Sequence, residues 1–313
     1  MSSAKTQRGI ALITAIILVA LATIIATAIA FNSALTARRG VAVFTVTQAQ
    51  YVAEGAEALA AYALREDLKN NRVDTLSESW AMPYGPVEFD YGVVLAASVE
   101  DMQGRFNLNN LVDGNGVADP IARETFERLL TLLGMETRWA ALITDWIDRD
   151  NQPTFPDGAE DSSYLSQTPP YRTPNLPITS VSELLALPGF GRDNYQKLRP
   201  YIAALPPGTT LNVCTASGLV LDAYSPGKQE FSLDEAGLAK KRQTDCFPTL
   251  PEYKATMTEP QFQRIQDRLS DNTRYFRLNS HVTIGTTSFT LYSLIHRDAG
   301  GQIRPILRTF GTD

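Results

Sequence analysis

The chain carries few thiols and few imidazoles: two cysteines, Cys214 and Cys246, and two histidines, His281 and His296, in 313 residues. Two thiols exclude a zinc ribbon built from cysteine alone, which takes four. Both histidines fall in stretches that read as strands, without a serine or cysteine nucleophile motif beside either, so both are assigned to structure. A phosphate-binding P-loop is also missing, which leaves no basis for nucleotide-driven work. Positive charge is the minority: 28 Lys and Arg against 34 Asp and Glu give a net charge of -6. Such a chain is a poor default partner for nucleic acid, whose phosphates need Lys and Arg. With 44% hydrophobic and 20% charged residues, most of the chain can fold around a core. Nothing in this inventory supports an enzyme.

One stretch lacks charge altogether. Residues 10–31, IALITAIILVALATIIATAIAF, run for 22 residues without an ionisable side chain. As a helix they reach roughly 33 Å, enough to cross a hydrocarbon core of about 30 Å. Lys5 and Arg8 before the run favour a cytoplasmic N-terminus, although Arg38 and Arg39 behind it offset some of that asymmetry. Ala49, Ala53, Ala56, Ala60 and Ala63 follow at helical spacing. A continuous helix from about residue 10 to about residue 70, roughly 90 Å long, is expected. A secretory signal peptide has a shorter apolar stretch of about 7–15 residues before a small-residue cleavage site. A plain anchor and a pilin-type signal are the other two readings.

Arg8-Gly9 directly before Ile10-Ala11-Leu12-Ile13 resembles the site of prepilin peptidase. That resemblance implies a leader at residues 1–9, cleavage after Gly9 on the cytoplasmic side, and N-methylation of Ile10 as the mature first residue. The apolar helix then stays on the product, as a membrane anchor at residues 10–31 and later as filament core. Most pilin-like subunits carry glutamate at the fifth mature position; here it is Thr14. An intramembrane carboxylate is costly and usually paired, and in the family it is thought to meet the terminal amine of a neighbour. Its absence in a large subunit resembles the K-type minor pseudopilins of type II secretion systems, and marks Thr14 as an assembly position at a fibre end.

After the long helix, residues 76–96 contain EFDYGVVLAASV and read as a strand, and residues 99–111 as a second strand or turn. Asp-Gly-Asn-Gly at 113–116 is a turn signal. Residues 119–134 are helical in period, with Pro120 at the start and Gly134 at the end, and 136–150 continue as a second helix. Residues 151–177 read as a long ordered loop. Two short helices about a glycine turn follow, then β-like sequence at 210–214, helical stretches at 217–224 and 259–269, and strands at 275–284, 286–295 and 302–309. The expected fold is α+β: a pilin-like fold, with a long transmembrane helix and an antiparallel sheet, interrupted by a large helical domain. Residues 32–111 are the first pilin-like segment, 112–207 the inserted helical domain, and 208–313 the closing pilin-like segment. Everything beyond the anchor is expected in the periplasm. In that oxidising compartment Cys214 and Cys246 are expected to form a disulfide, the other reading being two unrelated buried thiols. The bridge would close a loop of about 30 residues and contribute about 3 kcal/mol.

Residues 145–161, DWIDRDNQPTFPDGAED, hold Asp145, Asp148, Asp150, Asp157, Glu160 and Asp161 against Arg149 alone. Calcium takes six to eight oxygens on a pliable loop. The spacing is not that of an EF-hand, so charge density carries the reading, with a solvated acidic loop as the plain alternative. Asp145, Asp148, Asp150, Glu160 and Asp161 are the expected ligands of a structural Ca²⁺. The K-type resemblance implies the same, since the helical domain of that family is known for bound calcium.

Leu-Pro-Gly-Phe-Gly at 187–191 resembles a helix-hairpin-helix, with Arg192, Lys197 and Arg199 nearby. This supports a rival function, a signal-anchored periplasmic DNA-uptake protein. Asp193, Glu183 and the acidic balance speak against it, and close helix packing is the expected role of the glycines. The resemblance implies a minor pseudopilin of the inner membrane that caps the pseudopilus tip and helps start its assembly, for export of folded proteins across the outer membrane. Its implied partners are I-type and J-type minor pseudopilins, the major pseudopilin and prepilin peptidase, with no nucleic acid.

Overall fold

The structure, a computed structural model, describes residues 8–227 and 229–311. Residues 1–7 of the expected leader lie outside the described residues. Helix α1 spans Arg8–Asn70 without a break. Residues 10–44 of it are exposed along the whole circumference. Among the described residues it is the one helix long and apolar enough to cross a membrane. Its C-terminal half buries a seam of Ala49, Ala53, Ala56, Ala60 and Leu64. Spacings of three and four residues place these on one face, and the small alanines let the helix lie close to the sheet beneath it.

That sheet contains β1 (Tyr84–Phe89), β2 (Val93–Asp101), β7 (Tyr275–Ile284), β8 (Thr287–Arg297) and β9 (Ile303–Phe310), antiparallel in the order β1-β2-β7-β8-β9. Alternate residues Val93 and Leu95, Phe276, Leu278 and Val282, and Leu291 and Ile295 face α1 and are buried. Glu57 pins the helix to the sheet edge. Its carboxylate accepts the Ser293 hydroxyl at 2.6 Å and the Arg308 guanidinium at 2.6 and 2.9 Å. Residues 76–96, expected as one strand, instead form a hairpin. Asp90-Tyr91-Gly92 turns the chain, with Gly92 at φ +71°, a conformation that favours glycine.

Between β2 and β7 the chain leaves the sheet. In order come β3 (Phe106–Asn107), α2 (Pro120–Leu132), α3 (Arg138–Ile147), α4 (Asp161–Tyr164), α5 (Gly191–Leu198), β4 (Ile202–Ala203), β5 (Leu211–Asn212), α6 (Gly218–Tyr224), α7 (Glu235–Lys241), α8 (Leu250–Ala255), α9 (Glu259–Ile265) and β6 (Leu269–Ser270). Asp119 caps α2 by accepting the N–H groups of Ile121 and Ala122, with Pro120 in the first turn. One core runs through this region, from Phe106 and Phe126 through Trp139 and Leu198 to Leu221, Tyr253 and Ile265. Cys214 and Cys246 are joined in a disulfide with Cα atoms 4.7 Å apart.

The two halves meet in a polar junction. The Asn212 amide donates to the Asp74 carbonyl, the Asp101 carboxylate and the Thr273 hydroxyl, each at 3.0 Å, and the Gln103 amide donates to the Thr210 carbonyl at 2.9 Å.

Candidate metal centre

The acidic stretch folds around the end of α3. Asp145 lies in the last turn and Asp148 caps the C-terminus. The loop then swings out and returns through Glu160 into α4. This return brings carboxylate oxygens of Asp148, Asp150 and Glu160 within 4.8 Å of one another. Asp148 and Glu160 are each 3% exposed, and Asp150 is open to solvent. Asp148 Oδ1 and Glu160 Oε1 are buried without a hydrogen-bond partner. A buried carboxylate oxygen with no donor is costly, and no basic side chain forms an ion pair with these three among the described residues.

The electrostatics follow from that crowding. Burial, then the charges of Asp150 and Asp145, pushes the Asp148 carboxyl up to about 7. Burial, then Asp145 and Asp148, pushes Glu160 up to about 7 as well. Burial also raises Asp145. A group of carboxylates that resists ionisation for want of a counter-charge is what a hard divalent cation, with its preference for oxygen, would relieve. The residues present therefore fit a metal ion, with Asp148, Asp150 and Glu160 as the side chains that can hold it.

The other two residues singled out in the sequence are engaged elsewhere. Asp145 accepts the Thr154 N–H at 3.0 and 3.2 Å. Gly158 allows that loop to close, since a Cβ there would lie 2.2 Å from Asp145 Oδ2. Asp161 binds the Arg172 guanidinium at 3.0 Å and the N–H and hydroxyl of Thr173, both at 3.1 Å. Beneath the cluster, Trp146 and Tyr164 meet edge to face at 5.2 Å. Both keep a buried donor, Trp146 Nε1 and the Tyr164 hydroxyl, without a partner. Nothing in the sequence pattern marks these two free donors.

A second carboxylate trio, Asp67, Asp74 and Glu78, lies at the C-terminal end of α1 and just beyond it, with oxygens as close. There Arg297, 3% exposed, pairs with Asp74 and Asp67. Glu78 accepts the Thr75 N–H and the Trp80 ring N–H.

At the hairpin 187–191, Leu187 and Phe190 face inward, whereas Gly189 and Gly191 are exposed with open space where a Cβ would stand; their positive φ, +77° and +70°, and not close helix packing, is what calls for glycine. Phe190 is buried against Trp139 with ring centroids 5.0 Å apart, and Leu184, Leu187 and Leu198 are buried with it. Lys197 donates to the Gly134 carbonyl at 3.4 Å. His281 hydrogen-bonds Thr290, and the His296 ring lies tilted by 39° against Tyr275 with centroids 4.8 Å apart.

Comparison with known proteins agrees with this architecture. Residues 104–207 match the family model described as type II secretion system (T2SS), protein K. Type II secretion system protein K of Pseudomonas aeruginosa is 36% identical over 98% of this chain and 94% of that protein. The protein K of Pectobacterium carotovorum subsp. carotovorum is 30% identical over 97% of both. Among solved structures, the GspK-GspI-GspJ complex from the enterotoxigenic Escherichia coli type 2 secretion system contains a chain that superposes with a TM-score of 0.76. The two share 26% identity, over 88% of this chain and all of that one. The chain belongs to the type II secretion system protein K family, whose members are structural pseudopilins and not enzymes.

Proposed function

We propose that this chain is the tip-capping minor pseudopilin of its secretion system and helps start pseudopilus assembly for export of folded proteins across the outer membrane. The observation that carries this reading is the first half of α1. Its apolar residues stand free of the rest of the fold up to Ala49, the first buried position. An exposed apolar rod of that length needs a bilayer or other apolar helices around it. Residues 10–31 would cross the inner membrane with the N-terminus cytoplasmic and the folded region periplasmic. Prepilin peptidase would remove residues 1–9 after Gly9 and methylate Ile10. We set the inserted domain at 112–207 and the pilin-like segments at 32–111 and 208–313, with the stretch before β7 packed on the core of the insert.

Thr14 supports the tip position. Its hydroxyl donates to the carbonyls of Ile10 and Ala11 at 3.1 and 3.0 Å, within its own helix. The side chain is thereby satisfied locally and offers no carboxylate to the terminus of a neighbouring subunit. By likeness to the solved complex, the partners are I-type and J-type minor pseudopilins, with the major pseudopilin below. Asp148, Asp150 and Glu160 would hold a structural Ca²⁺ whose charge offsets theirs.

The test is mass spectrometry of the protein from secreting cells, together with Thr14→Glu. A chain beginning at N-methylated Ile10, and normal secretion with Thr14→Glu, is the expected result. An intact Met1, or cleavage after Ala28 or Ala30, would refute the pilin route. Detection of subunits stacked on both sides of this chain within the fibre would refute capping.

A further inference from the structure

Although the chain is acidic overall, one open cleft on its surface is basic. It has a volume of about 510 Å³ and lies between the C-terminal end of α1, the start of β7 and the turn joining β8 to β9. Its walls carry Arg65, Lys69, Arg72, Arg274, Arg297 and Asp298. The charges divide into two groups. Arg297 is neutralised from below by Asp67 and Asp74, and Lys69 is paired with Glu66 at 2.6 Å. Asp298 is turned into its own hairpin, accepting the N–H groups of Gly300 and Gln302. Arg65, Arg72 and Arg274 remain. All three are exposed, and among the described residues none has a side-chain hydrogen bond or ion pair.

We infer that this cleft docks an acidic peptide segment of a partner protein, one with at least two carboxylates in sequence. A guanidinium is a rigid fork that matches carboxylate oxygens two at a time. Arg65 lies near the C-terminal end of α1, and Arg72 lies two residues past Asn70, in the bend that leaves the helix. Arg274 comes from a different element across the cleft. Guanidinium groups contributed to one cleft by α1, by the bend after it and by the residue before β7 suit a chain of carboxylates better than a single small ion. A lipid headgroup is too distant. With the apolar run in a bilayer, Arg65 stands about 50 Å beyond residue 31, whereas the headgroup layer adds only about 5–8 Å to each side of the hydrocarbon core. Charge complementarity of this kind sets partner choice and association rate.

The experiment is fluorescence anisotropy of a labelled hexaglutamate peptide with the full chain in detergent micelles at low salt. Unlabelled hexaglutamine and inorganic phosphate serve as competitors. Hexaglutamate should bind, and weaken by about tenfold or more in the triple variant Arg65→Gln, Arg72→Gln, Arg274→Gln. Hexaglutamine and phosphate at matched concentration should not displace it. Lys69→Gln should change affinity by less than about threefold, because Glu66 already pairs that lysine. Absence of binding, equal binding by the triple variant, an equal loss with Lys69→Gln, or stoichiometric displacement by phosphate would each overturn the proposal.

Discussion

Two trios of carboxylates stand at opposite ends of this molecule's chemistry. Asp67, Asp74 and Glu78, and Asp148, Asp150 and Glu160, are alike in residue type and spacing. The first has the Arg297 guanidinium among its carboxylates and donors from Thr75, Trp80 and Thr273 around it. In the second, Asp148 Oδ1 and Glu160 Oε1 are buried without a donor, while Glu160 Oε2 accepts the Thr173 hydroxyl at 3.4 Å and Asp150 the Gln152 N–H at 2.7 Å. In the first, the fold supplies its own cation, and the cluster joins α1 to β8. In the second, the fold gathers negative charge and, among the described residues, supplies no ion pair to offset it. Acid density alone does not separate a structural knot from a metal seat; the presence of a buried partner does.

That contrast is open to attack by substitution. The largest effect is expected at the completed cluster. Arg297→Met should cost about 3–5 kcal/mol in denaturant unfolding, since it strands two buried carboxylates; a loss below about 1 kcal/mol would remove the knot. Calcium at about a hundred times its Kd should stabilise the wild-type chain by about 2.7 kcal/mol, and Arg297→Met should keep that response. In a chelator at pH 7.5, Asp148→Asn should be neutral or stabilising by about 1 kcal/mol, because it removes an uncompensated buried charge. Asp74→Asn under the same conditions should destabilise. Equal signs for the two asparagine variants would erase the distinction between the clusters.

The smallest expected effect is the pH dependence of the metal-free chain. Asp148, Glu160 and, in the other trio, Asp74 stand raised to about 7 in the folded state, each chiefly by burial, against about 4 for unfolded carboxylates. Between those values the folded chain binds more protons than the unfolded one, so stability falls as pH rises. The metal-free melting temperature should therefore drop by a few degrees from pH 4.5 to pH 7.5. Saturating calcium should weaken the trend, leaving the contribution of Asp74. A metal-free chain that gains stability across that window would contradict the burial argument.

The features legible in the sequence are those with local causes. The uncharged run and the alanine seam announce α1, and Asp119, Pro120 and Gly134 frame α2. Alternation at Phe276, Leu278, Ser280 and Val282 announces β7. Helix α7 leaves no such mark, because Leu238 is its single buried residue and makes no apolar stripe to detect. Helix α8 has a capping box, Thr249 with Glu252, behind a short polar stretch that gives little periodicity. The candidate site is legible as a density of acids. Which of them converge is not, because Thr154 and Thr173, from the intervening and following loops, occupy Asp145 and Asp161. Nor can spacing reveal that Arg297, 223 positions from Asp74, completes the other cluster.

Isothermal titration of metal-stripped protein with calcium chloride, run alongside Glu160→Gln, reaches the central question most directly. The second trio should bind calcium in the wild type and lose most of that affinity in the variant, while the fold of both is unchanged by circular dichroism. A wild-type chain that releases no binding heat and shows no thermal shift at millimolar calcium would mean that these carboxylates are buried for another reason.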